Sequence, residues 1–150
     1  MCIRDRDISP DEIVASVRVP LKRHTHFHCW KISKRFDQDI SAVCGAFGFA
    51  IENDTITSVR IAFGGMAATP RRARLCEQAL VGQSVHDALL PSAGEALAQD
   101  FAPISDMRAS ASYRRLAAHG LLERCLRSLS GQALPQLFPI AQTLQAVTHE

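Results

Sequence analysis

An apolar run from Ile40 to Ile51, the polar break Glu52, Asn53 and Asp54, and an alternating run from Ile56 to Phe63 make the sharpest hydrophobic pattern in the chain. Two strand-like runs around a short polar break predict a β-hairpin. In the first run Val43, Phe47, Phe49 and Ile51 are bulky, whereas Ala42, Cys44, Ala46, Gly48 and Ala50 are small. That pattern predicts a central strand buried on both faces, the small face letting another element approach closely. In the second run Val59, Ile61 and Phe63 share one face and Ser58 and Arg60 the other, as in a half-exposed antiparallel strand. Upstream, Ile13 to Val19 is alternating and β-branched and stops at Pro20, which predicts a further strand.

Helical periodicity follows the hairpin. Gly64 and Gly65 give a sharp exit, and Thr69 before Pro70 reads as an N-cap with proline at the first helical position, predicting a helix to Val81 that Gly82 ends. Ser84 with Asp87 resembles a capping box opening a helix that Pro91 interrupts before residues 93–99 continue it. The longest predicted helix runs from about Ala109 to Leu129. Leu121, Leu122, Cys125, Leu126 and Leu129 lie on its apolar side, and His119, Glu123, Arg124 and Arg127 lie opposite. After Gly131 the chain is apolar but broken by Pro135 and Pro139, as in a loosely held tail. The order of strand, hairpin and helices predicts an α+β fold, a small antiparallel sheet packed with helices on its faces.

Composition narrows the classes. With 150 residues, 47% of them hydrophobic, the chain is long enough for one domain with a real core. A net charge of +2 is too mild to argue for a nucleic-acid footprint, and no run reaches the length of a membrane span. With no targeting segment recognisable, a cytoplasmic location is expected. Five cysteines, Cys2, Cys29, Cys44, Cys76 and Cys125, are scattered without a CxxC pair and read as buried, reduced thiols.

Candidate chemistry is sparse. No GxSxG, HExxH, P-loop or dinucleotide fingerprint occurs, so the residues name no nucleophile and no catalytic group. His24, His26 and His28 alternate ahead of Cys29 and would face one way on a strand, as metal ligands do, yet no second cluster supplies the distant ligands that zinc needs; a polar loop is the plainer reading. Phe27 and Trp30 lead back to the core, and the charged stretch from Lys31 to Gln38 suits a short helix or an irregular turn. Arg71, Arg72 and Arg74 fall in the predicted first helical turn, where they oppose the helix dipole. Either a partner or a solvated face accounts for that.

Three separated stretches carry a family resemblance: KISKRFDQDISAV, IAFGGMAATPRRA and FAPISDMRASASYRRLAAHGLL. In this order they resemble the C-terminal domain of the flavoprotein subunit of molybdenum hydroxylases, the CO dehydrogenase flavoprotein C-terminal domain family, in the form found in bacterial xanthine dehydrogenases. The resemblance implies an α+β domain that packs against an FAD-binding domain and helps wall the flavin. It also implies flavin contacts at Lys31, a cationic partner for the polar edge of the ring, and at Val14, an apolar packing position. No catalytic or metal-ligating residue is carried over.

The domain division expected on this basis is a non-native or disordered start over 1–11, a last strand of an absent FAD-binding domain over 12–20, the C-terminal-like domain over 27–130 and a tail over 131–150. The family's Cys-rich iron-sulfur domains and Gly-rich FAD-binding region have no counterpart here, so the chain reads as a fragment inactive by itself. The implied whole is an oxidoreductase that passes electrons from a molybdenum cofactor in a large subunit through iron-sulfur clusters to FAD and then NAD during purine hydroxylation. The alternative is a non-catalytic α+β interaction module using the Arg71, Arg72 and Arg74 face.

Overall fold

The computed structural model describes residues 8–18, 26–35, 39–86 and 90–134. Four strands, β1 (His26–Ile32), β2 (Val43–Glu52), β3 (Thr55–Gly64) and β4 (Arg71–Arg72), form one antiparallel sheet in the order β1-β2-β3-β4. Three helices follow: α1 (Arg74–Leu80), α2 (Leu90–Asp100) and α3 (Ala111–Leu129). The α+β reading therefore holds. Its layering differs from expectation, because the three described helices lie on one face of the sheet.

The hairpin turns on Asn53 and Asp54, both at positive φ (49° and 60°). These angles belong to the two-residue turn whose twist matches that of paired strands, and Asn and Asp tolerate them better than other non-glycine residues. Register shifts between Ala50 and Ile51 and leaves Thr57 without an opposite residue. Its hydroxyl donates to Ala50 O at 3.1 Å. This bulge lets both Ile56 and Val59 reach the core.

On the bulky face of β2, Val43, Phe47 and Phe49 are fully buried and Ile51 is half-buried. Phe47 and Phe63 meet edge to face with centroids 5.6 Å apart, and Phe63 meets Phe101 similarly at 5.6 Å. Ile56, Ile61, Leu80, Leu122, Cys76 and Cys125 complete the core between sheet and helices. Gly45 belongs to this face, and a Cβ there would lie 2.9 Å from both Phe47 and Phe63 ring atoms. Among the described residues no element covers the small face of β2: Cys44, Ala46 and Ala50 are half-buried. Gly48 alone on that face is buried, its cross-strand partners being Phe27 and Arg60. Burial of both faces was the wrong expectation, because small side chains there match a thin layer as well as a close neighbour.

Other boundaries shift for local reasons. From His26 onward the stretch expected to be a polar loop is β1, with His26, His28, Trp30 and Ile32 on the helix side; residues 22–25 lie outside the described residues. The charged segment after it is irregular where described, with bends at Lys34 and Arg35. Residues 13–18 of the expected first strand form no ladder, since no described strand pairs with them; Val19 and Pro20 lie outside the described residues. Thr69 does not cap a helix. The chain first pairs with β3, Arg72 opposite Ala62 and Arg71 opposite Phe63, and α1 begins at Arg74. Ser84 forms an isolated bridge with Thr55, and Asp87 lies outside the described residues. Pro91 occupies the first turn of α2, where it is tolerated; residues 87–89 before it lie outside the described residues. Helix α3 starts where Ser110 accepts the Tyr113 amide, within two residues of expectation.

Candidate functional site

Lys31 lies on β1 opposite Cys44 and projects from the uncovered sheet face with Phe27 and Cys29. Its ammonium donates to Asp39 O at 2.8 Å. An ammonium has three donors, so this bond leaves capacity for a further acceptor. Asp39 organises the described ends of the charged segment: its carboxylate accepts the Arg35 amide and the Ile40 amide, each at 2.9 Å. The Arg35 amide, helped by the Ile40 amide and the Arg35 charge, holds the Asp39 carboxyl below its ordinary pKa despite desolvation.

A second carboxylate braces this edge. Lys34 donates to Met107 O at 2.9 Å, tying the turn after β1 to the loop before α3. In that loop Asp106 accepts the amides of Arg108 at 2.9 Å and Ala109 at 3.2 Å, and the Arg114 guanidinium at 2.6 Å. The Arg108 amide contributes most to lowering its pKa, then the Ala109 amide and Arg114, against desolvation. Arg114, 2% exposed, also donates to Ala42 O at 2.6 Å and Gly65 O at 2.8 Å. One buried guanidinium thus joins the entry to β2, the exit from β3 and the loop before α3. A cavity of about 430 Å³ opens here, lined by Lys34, Asp106, Met107 and Tyr113 among others.

Val14 is 64% exposed. Its stretch carries the local Ser9–Glu12 hydrogen bonds, and among the described residues neither a ladder nor a hydrogen bond joins it to Lys31. Arg114 and Asp106 carry the geometry of this edge and were given no role from sequence, although both lie in the quoted stretch FAPISDMRASASYRRLAAHGLL. Their readable signal was the short turn formers Ser105, Asp106 and Ser110 ahead of a helix.

The other candidates fall elsewhere. His26 and His28 share a face, but it is the face toward α3. His28 stacks on Trp30 with centroids 4.8 Å apart and an interplanar angle of 8°, and Arg124 lies 5.5 Å from the Trp30 ring. Burial, then the charges of His26 and Arg124, lower the His28 pKa. His24 lies outside the described residues, and among those described no three His, Cys, Asp or Glu come together as a metal site. Arg71 and Arg72 are on β4 rather than in a helical turn, and Arg72 is ion-paired with Glu77. The α1 amides of Leu75 and Cys76 donate to the Asp100 carboxylate at 3.0 Å each. Of the three arginines, only Arg74 is in α1, at its first residue.

Comparison with known proteins places this arrangement. Residues 28–129 match the family model described as the CO dehydrogenase flavoprotein C-terminal domain. The chain is 33% identical over 134 residues to a xanthine dehydrogenase of Emericella nidulans, covering 86% of the chain and 10% of that protein. It is 32% identical over 106 residues to the xanthine dehydrogenase FAD-binding subunit of Escherichia coli O157:H7, covering 69% and 36%. Against the carbon monoxide dehydrogenase medium chain of Afipia carboxidovorans the identity is 25% over 126 residues, covering 84% and 44%. The chain therefore spans less than half the length of these relatives. Among solved structures, reconstituted CO dehydrogenase from Oligotropha carboxidovorans superposes with a TM-score of 0.63 at 24% identity over 71% of this chain and 37% of that one. That likeness establishes the fold.

Proposed function

This chain belongs to the CO dehydrogenase flavoprotein C-terminal domain family, and from that premise we propose that it is the flavin-walling portion of a xanthine dehydrogenase-type oxidoreductase. The family match over 28–129 carries the reading, and the position of Lys31 supports it. Lys31 projects from an uncovered sheet face, with donor capacity beyond its bond to Asp39 O, as a residue reaching a ring outside the domain must. Asp39, Lys34 and Arg114 hold the backbone around it in place. Exposed Val14 supplies apolar surface on the stretch 12–20, which completes the sheet of an FAD-binding domain.

FAD supplies electron transfer when bound. This chain's part is to bring a positive charge to the polar edge of the ring, favouring its reduced, more negative form. In the proposed assembly, iron-sulfur domains and a molybdenum-binding large subunit deliver electrons, NAD receives them, and the substrate is a purine. A cytoplasmic setting fits this chemistry, and among the described residues no helix is long and apolar enough to cross a membrane.

The test uses the protein expressed with the sequence that precedes it in its gene. Flavin absorbance and midpoint potential are measured with and without Lys31→Ala. The expected result is a bound flavin whose potential falls on substitution, because a cation that stabilised the reduced form has gone. A flavin with the same content and potential in both proteins overturns the role of Lys31. Stoichiometric FAD binding by the 150-residue chain alone overturns the assignment of the main flavin site to an upstream domain.

A further inference from the structure

We propose that Cys29 and Cys44 form a two-thiolate site for a soft, two-coordinate monovalent cation of the Cu(I) class. Both side chains project from the uncovered sheet face. The register sets Cys29 opposite Ala46 and Lys31 opposite Cys44, which makes the two thiols diagonal neighbours across β1 and β2. Cys29 is exposed, Cys44 is half-buried, and both are free thiols. They are near enough to interact: burial pushes the Cys44 thiol up, the charge and S–H of Cys29 push it further, and the Lys31 ammonium pulls it down.

Distance decides which chemistry suits the pair. A disulfide needs Cβ atoms about 3.5–4.5 Å apart. Diagonal cross-strand neighbours stand about 7–8 Å apart, their Cβ atoms somewhat less. A bridging ion adds two metal–sulfur bonds of about 2.3 Å each, so a linear S–M–S unit spans roughly 4.6 Å and takes up the difference. Zinc asks for four ligands. No three His, Cys, Asp or Glu among the described residues come together, which suits an ion satisfied by two thiolates, as soft Cu(I) is. Binding releases the two thiol protons and leaves a unit of net charge −1, beside which Lys31 stands with its positive charge. The site shares Lys31 and the uncovered sheet face with the flavin reading but does not rest on it.

The purified chain is titrated under argon with Cu(I) in competition with bicinchoninate, alongside Cys29→Ser, Cys44→Ser, Cys2→Ser and His28→Ala. The expected result is one Cu(I) per chain, weakened roughly 100-fold or more by either Cys29→Ser or Cys44→Ser, a larger effect than loss of most outer-shell partners. Cys2→Ser and His28→Ala retain wild-type affinity, and X-ray absorption of the loaded chain shows two sulfur neighbours. Unchanged affinity in Cys29→Ser, a loss confined to Cys2→Ser, or one Cu(I) shared by two sedimenting chains overturns the proposal. Cys29 is on an exposed edge strand, so that variant carries the test even where Cys44→Ser fails to fold.

Discussion

Arg114 shows how one side chain can hold a site without touching what the site binds. Its guanidinium reaches Ala42 O, Gly65 O and Asp106 from inside the protein. Arg114→Met leaves two carbonyls and a carboxylate without their donor, and removing one partner of a buried charged contact costs about 3 kcal/mol. The expected reading is a lowered urea midpoint with an unchanged slope. Arg114→Lys recovers only part, because an ammonium lacks the planar fork that reaches several acceptors together. Gly65 sits in the same knot at φ 83°, and a Cβ there would lie 2.3 Å from Ala42 O. Gly82 has nearly the same angle, 82°, but nothing within 4 Å of a Cβ. Gly82→Ala should therefore cost about 1 kcal/mol, the strain of the left-handed region alone, and Gly65→Ala clearly more in the same urea experiment.

Asp106 adds a pH dependence at this scale. Its folded pKa is depressed, chiefly by the Arg108 amide and then by the Ala109 amide and Arg114. Folding therefore favours the ionised form. The stabilisation is present above the unfolded value, about 3.9, and is lost as pH falls through the lower folded value. Urea midpoints measured from pH 7 to pH 3 should fall less steeply below pH 4 for Asp106→Asn than for the wild type. Equal slopes would remove Asp106 from the acid sensitivity of the fold.

Among elements, those with a strong local pattern were legible in the sequence and those defined by distant partners were not. The β2–β3 hairpin and α3 follow from periodicity and turn residues that need no neighbour to be recognised. Strand β1 was hidden because His26 and His28 read as polar, although they share a face with Trp30 and Ile32 and pack toward α3. Strand β4 has only two residues and exists because β3 offers an edge to Arg71 and Arg72. The start of α1 was misread for the same reason: its amides are capped by Asp100, 25 residues beyond Leu75. Two substitutions separate the readings. Thr69→Ala should leave thermal stability nearly unchanged, whereas Asp100→Ala removes the acceptor for two helix amides and should cost about 1–2 kcal/mol, seen as a lower melting temperature. The candidate site divides similarly, since Lys31 stood out through family resemblance while Arg114 and Asp106 gained their roles only from the fold.

Across the whole molecule, apolar surface is distributed unevenly. The core thiols Cys76 and Cys125 are pushed up to about 12, mainly by burial. At pH 8 they should resist an aromatic disulfide reagent until the domain unfolds, whereas exposed Cys29 reacts in the native state. Outside that core, Ile13 is 88% exposed and Val17 79%, on a stretch with no ladder partner among the described residues. Exposed apolar side chains clustered in one segment mark an interaction surface more often than chance scatter. If 12–20 completes the sheet of an FAD-binding domain, Ile13→Asp with Val17→Asp should weaken association with a separately expressed upstream segment by about tenfold or more, the size expected when anchoring apolar residues are lost. The melting temperature of the 150-residue chain should stay the same, because these side chains contribute little burial to it. A matching loss of chain stability would instead place the segment in this domain's own core, and unchanged association would remove it from the interface.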